Sequence, residues 1–447
     1  MIYRNATEHL RKWARRDDRK PLILRGARQV GKTTLVEEFA KEYKVFLRLN
    51  LDNDDEAELF EQHKRINDLV TAIYLHNNIP KIDAPTLLFI DEIQNSPRAV
   101  AQLRYFYEQR PDIHVIAAGS LLESLINIRI SFPVGRVEYM ALRPCSFNEF
   151  LGALGETELQ KVQLAGQIPD GIHNKAMNLF NQYTLVGGMP EAVAHYAKHH
   201  DIIALQNNYE TLLTSYRDDV EKYASQGTTR NVIRHILNAG WIYASQRIKF
   251  ERFGNSDYRS REVGEAFRIL EKTMLLELSY PTTSCSIPLA PEPKRSPKLL
   301  WVDTGIVNYS AGLQKEIFGM KDISDAWRGK IAEHITGQEL LASDYRCSHR
   351  RHFWVRNAHG ADAEVDYVIQ VDNKVIPIEV KSGNNAKLRS LHLFMENSPH
   401  EIAIRFWSGK FSIDRVKTVS GKSFNLMNVP YYYAGVLEHV IRGISAM

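Results

Sequence analysis

The sequence predicts an α/β protein of several domains, with a parallel sheet in its N-terminal part and a second α/β unit at its C-terminal end. Three stretches carry that prediction. "PLILRGARQVGKTTLVEEFAKEYK" passes from an apolar strand (Leu22 to Leu24) through a glycine-containing turn into a helix. "APTLLFIDEIQ" is an apolar run closed by two acids, as expected of a buried parallel strand. "EVDYVIQVDNKVIPIEVKSG", residues 364–383, reads as two apolar strands around a turn, with carboxylates and a lysine set into them. At 447 residues the chain exceeds one ordinary core, so two or three domains are expected.

Composition narrows the class. With 44% hydrophobic, 25% charged and 10% aromatic residues, long disorder is excluded. The net charge of +4 is small for this length, so any surface for nucleic acid must be a local one. "MIYRNATEHLRKWARRDDRK" has no apolar core of a secretory signal, and the longest apolar runs are too short to span a bilayer. Cys145, Cys285 and Cys347 lie far apart without metal-ligand spacing and read as reduced packing residues. The expectation is a cytoplasmic protein without a membrane partner.

The first glycine turn fits G-x-x-x-x-G-K-[ST] at Gly26, Gly31, Lys32 and Thr33. In such a P-loop the backbone from Gly26 through Ala27, Arg28, Gln29, Val30 and Gly31 to Lys32, Thr33 and Thr34 wraps phosphates, aided by the positive end of the helix. Lys32 would reach the β- and γ-phosphates and Thr33 would ligate Mg²⁺, so ATP and Mg²⁺ are the expected cofactors. Leu35, Phe39 and Tyr43 make the stripe of a helix packed on a sheet. "VFLRLNLD" supplies a second strand, and a charged helical stretch runs on to about His76. Asp91 and Glu92 follow at the tip of their strand, where Asp91 would hold Mg²⁺ through water and Glu92 would polarise the attacking water. "IHVIAAGS" ends in Ser120, a phosphate sensor or equally a helix N-cap. Arg136, after a glycine, and Arg143 offer the cation that phosphoryl transfer requires. Arg136 is the candidate, acting in cis or from a neighbouring subunit.

Together, "RGARQVGKTTL", "LLFIDEIQ", "AAGS", "GR" and "LRPCSFNEFL" resemble the prokaryotic AAA-type ATPases related to the archaeal ATPase and signal-transduction NTPase clade. "LVGGMPEAV", "YRDDVEKYA", "PKLLWVDTGI" and "AEVDYVI…IPIEVKSG" resemble a domain of unassigned function that follows this ATPase, so the likeness covers nearly the whole chain. The resemblance implies ATP binding and hydrolysis by an AAA-type fold, and a homo-oligomer. The expected division is a P-loop core over 1–155, a helical lid or connector over 156–225, a winged-helix-like segment over 226–295 and a C-terminal domain over 296–447.

In the middle, "TRNVIRHILNAGWIYAS" and "REVGEAFRILEKTMLLEL" are two amphipathic helices before an apolar strand, an order that resembles a winged helix. Such modules bind DNA or dock proteins, and both remain open here. "APEPKRSPKLL" reads as a loop or linker.

In the last hairpin Glu379 and Lys381 share a strand face, with Asp366 on the partner strand. Asp followed by Glu-x-Lys resembles the restriction-endonuclease-like PD-(D/E)XK nucleases. That likeness implies a Mg²⁺ site of Asp366 and Glu379, a lysine that positions the nucleophile, and a further acid from the preceding helix. Glu333 is the choice for that acid, with Glu339 in reserve. "RCSHRRHFWVR" interleaves arginines with Phe353 and Trp354, a pattern suited to phosphate contact and base stacking. The same residues also fit an ion pair in a domain that holds DNA without cutting it. The expected function is an ATP-dependent DNA-processing or defence enzyme. The alternative is a regulatory NTPase switch that binds DNA or a partner protein without cutting.

Overall fold

The computed structural model describes residues 2–119, 133–219, 224, 227–312, 325–357, 363–381 and 388–445. Five strands open the chain: β1 (Leu22–Arg25), β2 (Val45–Asn50), β3 (Thr86–Asp91), β4 (Ile113–Ala118) and β5 (Glu138–Ala141). They form one sheet in the order β2-β3-β4-β1-β5, parallel throughout. Period-2 alternation divides β3 between two cores. Leu87 and Phe89 pack with Leu35, Val36 and Phe39 of helix Lys32–Ala40, while Leu88 and Ile90 pack with Leu103 and Phe106 of helix Pro97–Gln109. The sheet is thus covered on both faces, which is why β3 is apolar along its length.

Helices follow as the sequence predicts. His173–Val186 ends at Gly187, and Pro190–His199 begins with its proline in the first turn, where the missing N–H costs nothing. Gln206–Asp218 completes this helical part.

Helices Gly227–Ala239 and Ser260–Lys272 then bury Val232, Ile233 and Ile236 and Val263, Phe267 and Leu270. They precede or flank β6 (Gln246–Arg247), β7 (Leu276–Ser279), β8 (Pro281–Thr282) and β9 (Lys298–Trp301). β6, β9 and β7 make an antiparallel three-stranded sheet, and Trp301 of β9 stacks on Trp241 at 3.8 Å. Here the structure departs from the expected boundary at 295/296. β9 belongs to the middle sheet, because its apolar Leu299 and Leu300 pair with β7 across the proline-rich loop.

The last strands are β10 (His352–Val355), β11 (Glu364–Val371), β12 (Lys374–Val380), β13 (Ile402–Trp407), β14 (Ser412–Lys417) and β15 (Ser423–Pro430). A seven-stranded mixed sheet runs β14-β15-β13-β12-β11-β10-β8, so β8 ties the middle segment to this sheet. The expected hairpin is present: β11 and β12 pair antiparallel up to Val371 and Lys374, leaving a two-residue turn with Asp372 at φ 53°. Helix Arg389–Asn397 packs Leu391, Phe394 and Met395 with Val365 and Val375. Helix Asp325–Ala342 packs Ile331 and Ile335 in the core that holds Tyr367 and Ile378. No helix among the described residues is long and apolar enough to cross a membrane.

Candidate functional site

The parallel sheet sets the first site. β1, β2 and β3 end at one edge, with Asn50 and Asp91 paired in register, and the glycine turn leaves β1 at that edge. Two glycines are required there. A Cβ on Gly26 would come within 2.6 Å of the Leu142 carbonyl, and Gly31 sits at φ +90°, a conformation costly for any other residue. Lys32 is buried and donates from Nζ to the carbonyls of Gly26 and Ala27, both at 3.0 Å. Burial pulls its pKa down, and the nearby Glu92 and Asp91 oppose that shift. Thr33 Oγ1 donates to Asp91 Oδ2 at 2.7 Å, while Asp91 Oδ1 accepts from the Glu92 amide at 3.1 Å. A hydroxyl beside a carboxylate at the mouth of a phosphate loop is a hard-oxygen donor set, and it suits Mg²⁺. Glu92 itself lies at φ 50°, a left-handed conformation that a glutamate rarely adopts, and its side chain accepts from Gln94 Nε2. These groups line a cavity of about 1130 Å³, ample for a nucleotide, together with Arg28, Gln29 and Thr34.

Groups outside the motif hold the loop. Arg4 donates from Nη1 to the Val30 carbonyl (3.0 Å) and from Nη2 to the Arg143 carbonyl (2.6 Å), with Glu149 at 3.1 Å from its Nε. Arg28 pairs with the buried Asp219, and Tyr216 donates to the Arg28 carbonyl at 3.2 Å. Neither Arg4 nor Asp219 was predicted as a site residue. Arg4 precedes any patterned segment, and Asp219 was visible only as part of "YRDDVEKYA".

Ser120 lies outside the described residues. Arg136 is a correction for action in cis: it precedes β5, which runs parallel to β1, and so occupies the sheet edge opposite the P-loop. There its Nε donates to Glu108 at 2.9 Å and its guanidinium lies over Tyr107.

The second constellation gathers in the C-terminal sheet. Pairing between β10 and β11 slips between His352 and Trp354, so β11 carries an extra residue opposite them. Such a bulge re-aims side chains. Tyr367 thereby donates to the Glu333 carbonyl at 3.0 Å, and Asp366 Oδ2 accepts the Val380 amide at 2.8 Å. Glu379 and Lys381 meet at 2.6 Å, as the shared strand face predicts. Glu333 faces the same cluster. Glu339 does not: it accepts from the Phe147 amide (3.0 Å) and the Tyr183 hydroxyl (2.8 Å) in a separate buried network.

A residue the sequence reading placed in a linker sits at the centre of the cluster. Lys298 Nζ lies 2.7 Å from Glu333 Oε1, 2.7 Å from Glu364 Oε1 and 4.0 Å from Asp366 Oδ1. It is 2% exposed and lies 4.8 Å from the Phe353 ring centroid. The surrounding carboxylates raise its pKa well above the ordinary lysine value despite burial. Burial and mutual repulsion raise Glu379 to about 7. As arranged, Glu333, Asp366 and Glu379 are no open metal site, and among the described residues no three acidic, histidine or cysteine side chains are set to hold one. The Lys298 ammonium already lies among Glu333, Glu364 and Asp366, and Lys381 pairs with Glu379. The expected stacking loop is also corrected. Phe353 and Trp354 are core residues, and Arg351 is buried in a pair with Glu277 at 3.1 Å.

A larger cavity, about 1560 Å³, lies between His9 and Tyr139 of the first domain and Arg346, His349 and Glu438 of the last. It holds neither the phosphate loop nor the acid cluster, so the chemistry rather than the volume locates the site.

Residues 18–151 match the AAA domain family, and the five-stranded parallel sheet is consistent with a P-loop ATPase fold. Residues 177–317 and 328–423 match two domains of unknown function, DUF8612 and DUF4143. No curated protein matches. Among solved structures, the Walker-type ATPase paby2304 of Pyrococcus abyssi aligns at 13% identity with a TM-score of 0.45, covering 70% of this chain and 96% of that one. PCH-2 of C. elegans aligns at 13% identity and TM-score 0.29, covering 45% and 65%.

Proposed function

We propose that the chain is an ATP-hydrolysing switch whose nucleotide state is passed to a nuclease-like C-terminal domain that engages DNA. One observation carries the ATPase: Lys32, Thr33, Asp91 and Glu92 converge at one sheet edge around a glycine-built phosphate cradle. Loop amides and Lys32 would bind the β- and γ-phosphates, and Thr33 and Asp91 would hold Mg²⁺, whose charge would offset that of the phosphates. Glu92, held by Gln94, orients the attacking water and accepts its proton. Because Arg136 faces away from its own P-loop, a transition-state arginine from that position would come from a neighbouring subunit in a homo-oligomer.

The nuclease-like reading of the last domain is supported by its layout. A helix with Glu333 precedes an antiparallel trio β10-β11-β12, β12 pairs parallel with β13, and Asp366 and Glu379 lie on adjacent strands with Lys381 just past the end of β12. The middle helices and three-stranded sheet fit a winged-helix-like module. Lys298 within the acid cluster favours engagement without cutting.

The ATPase is tested by phosphate release from wild type and Lys32→Ala. Turnover abolished by the substitution is expected, and undiminished turnover overturns the assignment. DNA engagement is tested by binding across a salt series, with and without ATP. Affinity that falls with salt on a linear log–log plot is expected, and no binding at low salt overturns it.

A further inference from the structure

Arg143 reads in the sequence as a cation for phosphoryl transfer, yet it does not line the nucleotide cavity. It lines a separate cavity of about 270 Å³ that backs onto the phosphate loop at Arg25 and Ala27. Three parts of the chain build the walls. Arg143 follows β5, Arg268 and Lys272 lie on helix Ser260–Lys272, and Arg350 and Arg351 precede β10. With Arg25, six cationic side chains face two acids, Glu271 and Glu277, an excess of four positive charges. Neither acid is free to balance that excess. Glu277 pairs with the buried Arg351 at 3.1 Å, and Glu271 accepts the Leu278 amide at 3.0 Å. Among the described residues, Arg143, Arg268, Lys272 and Arg350 form no ion pair.

A second observation concerns Arg143 alone. Its Nη2 donates to the Arg346 carbonyl at 3.3 Å, while its Nε is buried without a hydrogen-bond partner. Arg4 and Arg351 are buried too, and each has a glutamate at 3.1 Å. Arg143 has none. Burial pulls its pKa down to about 10, opposed by Glu277 and aided by Arg351 and Arg350, so it keeps its charge at neutral pH. A buried donor without an acceptor is destabilising, and an anion from outside is the partner that relieves it.

We propose that this cavity is a second phosphate site, separate from the P-loop, which takes the clustered phosphate oxygens of a free oligophosphate or of a nucleic-acid backbone. Guanidinium forks match phosphate oxygens in pairs, and Arg143, Arg268 and Arg350 supply three of them from three parts of the chain. The volume lies below the roughly 300–1,000 Å³ of sites for drug-sized ligands, so it suits phosphoryl groups and not a whole nucleotide. The inference stands apart from both the ATPase and the DNA reading.

The test is calorimetric titration of inorganic pyrophosphate into the full chain at low salt, without nucleotide or divalent metal. Lys32→Ala is the background, so that binding at the P-loop is weakened in every sample. Lys32→Ala is expected to bind one pyrophosphate per chain. Adding Arg143→Met, or Arg268→Gln with Arg350→Gln, is expected to weaken that binding roughly tenfold or more. No binding to Lys32→Ala overturns the proposal, and so does binding indifferent to both sets of substitutions. Should the Arg143→Met protein not fold, the exposed pair Arg268 and Arg350 decides alone. Repeating the titration with a short DNA duplex present distinguishes the sources. Pyrophosphate excluded by the duplex assigns the site to a backbone, and pyrophosphate still bound assigns it to a free oligophosphate. Absence of ATP turnover in wild type changes none of these outcomes.

Discussion

At the scale of single residues, two buried lysines show how surroundings set a role. Lys32 faces carbonyls, with its acids farther off, and burial lowers its pKa; a phosphate is the partner that would best stabilise its charge. Lys298 faces carboxylates directly, and its pKa rises. The sequence revealed the first and hid the second. Lys32 stands at a fixed offset from glycines in its own segment, whereas the acids around Lys298 come from positions 35 to 68 residues further on, a distance no local spacing encodes. Glu92 supports a sharper prediction than Lys32. Its backbone is fixed by φ 50° and by the Asp91 contact, so Glu92→Gln keeps the shape of the site and removes only the base. ATP affinity is expected within about twofold of wild type, with turnover lower by roughly 10²-fold or more. Fluorescent-nucleotide titration and single-turnover phosphate release measure the two. A Glu92→Gln protein with wild-type turnover removes Glu92 from the chemistry.

At the scale of elements, helix Asp325–Ala342 joins two buried polar systems. Its middle carries Glu333 to the acid cluster. The C-terminal part carries Gln338 and Glu339 into a network with Tyr183, Thr304 and Asp303, where Gln338 accepts the Thr304 amide at 2.8 Å and Asp303 accepts the Gly188 amide at 2.5 Å. Burial raises Asp303 to about 6 and Glu339 to about 7. Both folded values lie above their unfolded ones, so the folded state binds more protons and each group favours folding at low pH. That contribution is lost as pH climbs from about 4 to 7, at an upper limit of about 3 kcal/mol per group. Urea unfolding at pH 5 and pH 8 is expected to show a decline that the Asp303→Asn/Glu339→Gln pair flattens; an unchanged slope refutes it. The hairpin of β11 and β12 was legible because alternation and "VDNK" each point to it. The bulge beside Asp366 was not, nor was the crossing of β8 into the last sheet, since both depend on a strand more than ten residues distant.

At the scale of the molecule, the P-loop and the acid cluster are linked by packed, hydrogen-bonded parts. Pro190 lies against Gly31, where an added Cβ would touch its ring at 3.4 Å. Two residues earlier Gly188 contacts Asp303 through its amide and the Cys145 amide through its carbonyl. Asp303 follows β9, the strand that begins at Lys298, by two residues. A nucleotide that moves the P-loop against Pro190 therefore pushes on the turn that anchors one end of β9, while Lys298 holds the other. Contiguity alone does not establish coupling, so the link is tested as an equilibrium. Hydrogen exchange is expected to change in β9 and in helix Asp325–Ala342 when a non-hydrolysable ATP analogue and Mg²⁺ bind to wild type. Asp219→Asn weakens the tie between Arg28 and the helical lid and is expected to shrink that change while analogue binding persists. Exchange in β9 and this helix that is indifferent to nucleotide in wild type means the two sites work separately. The ATPase would then stand without the switch.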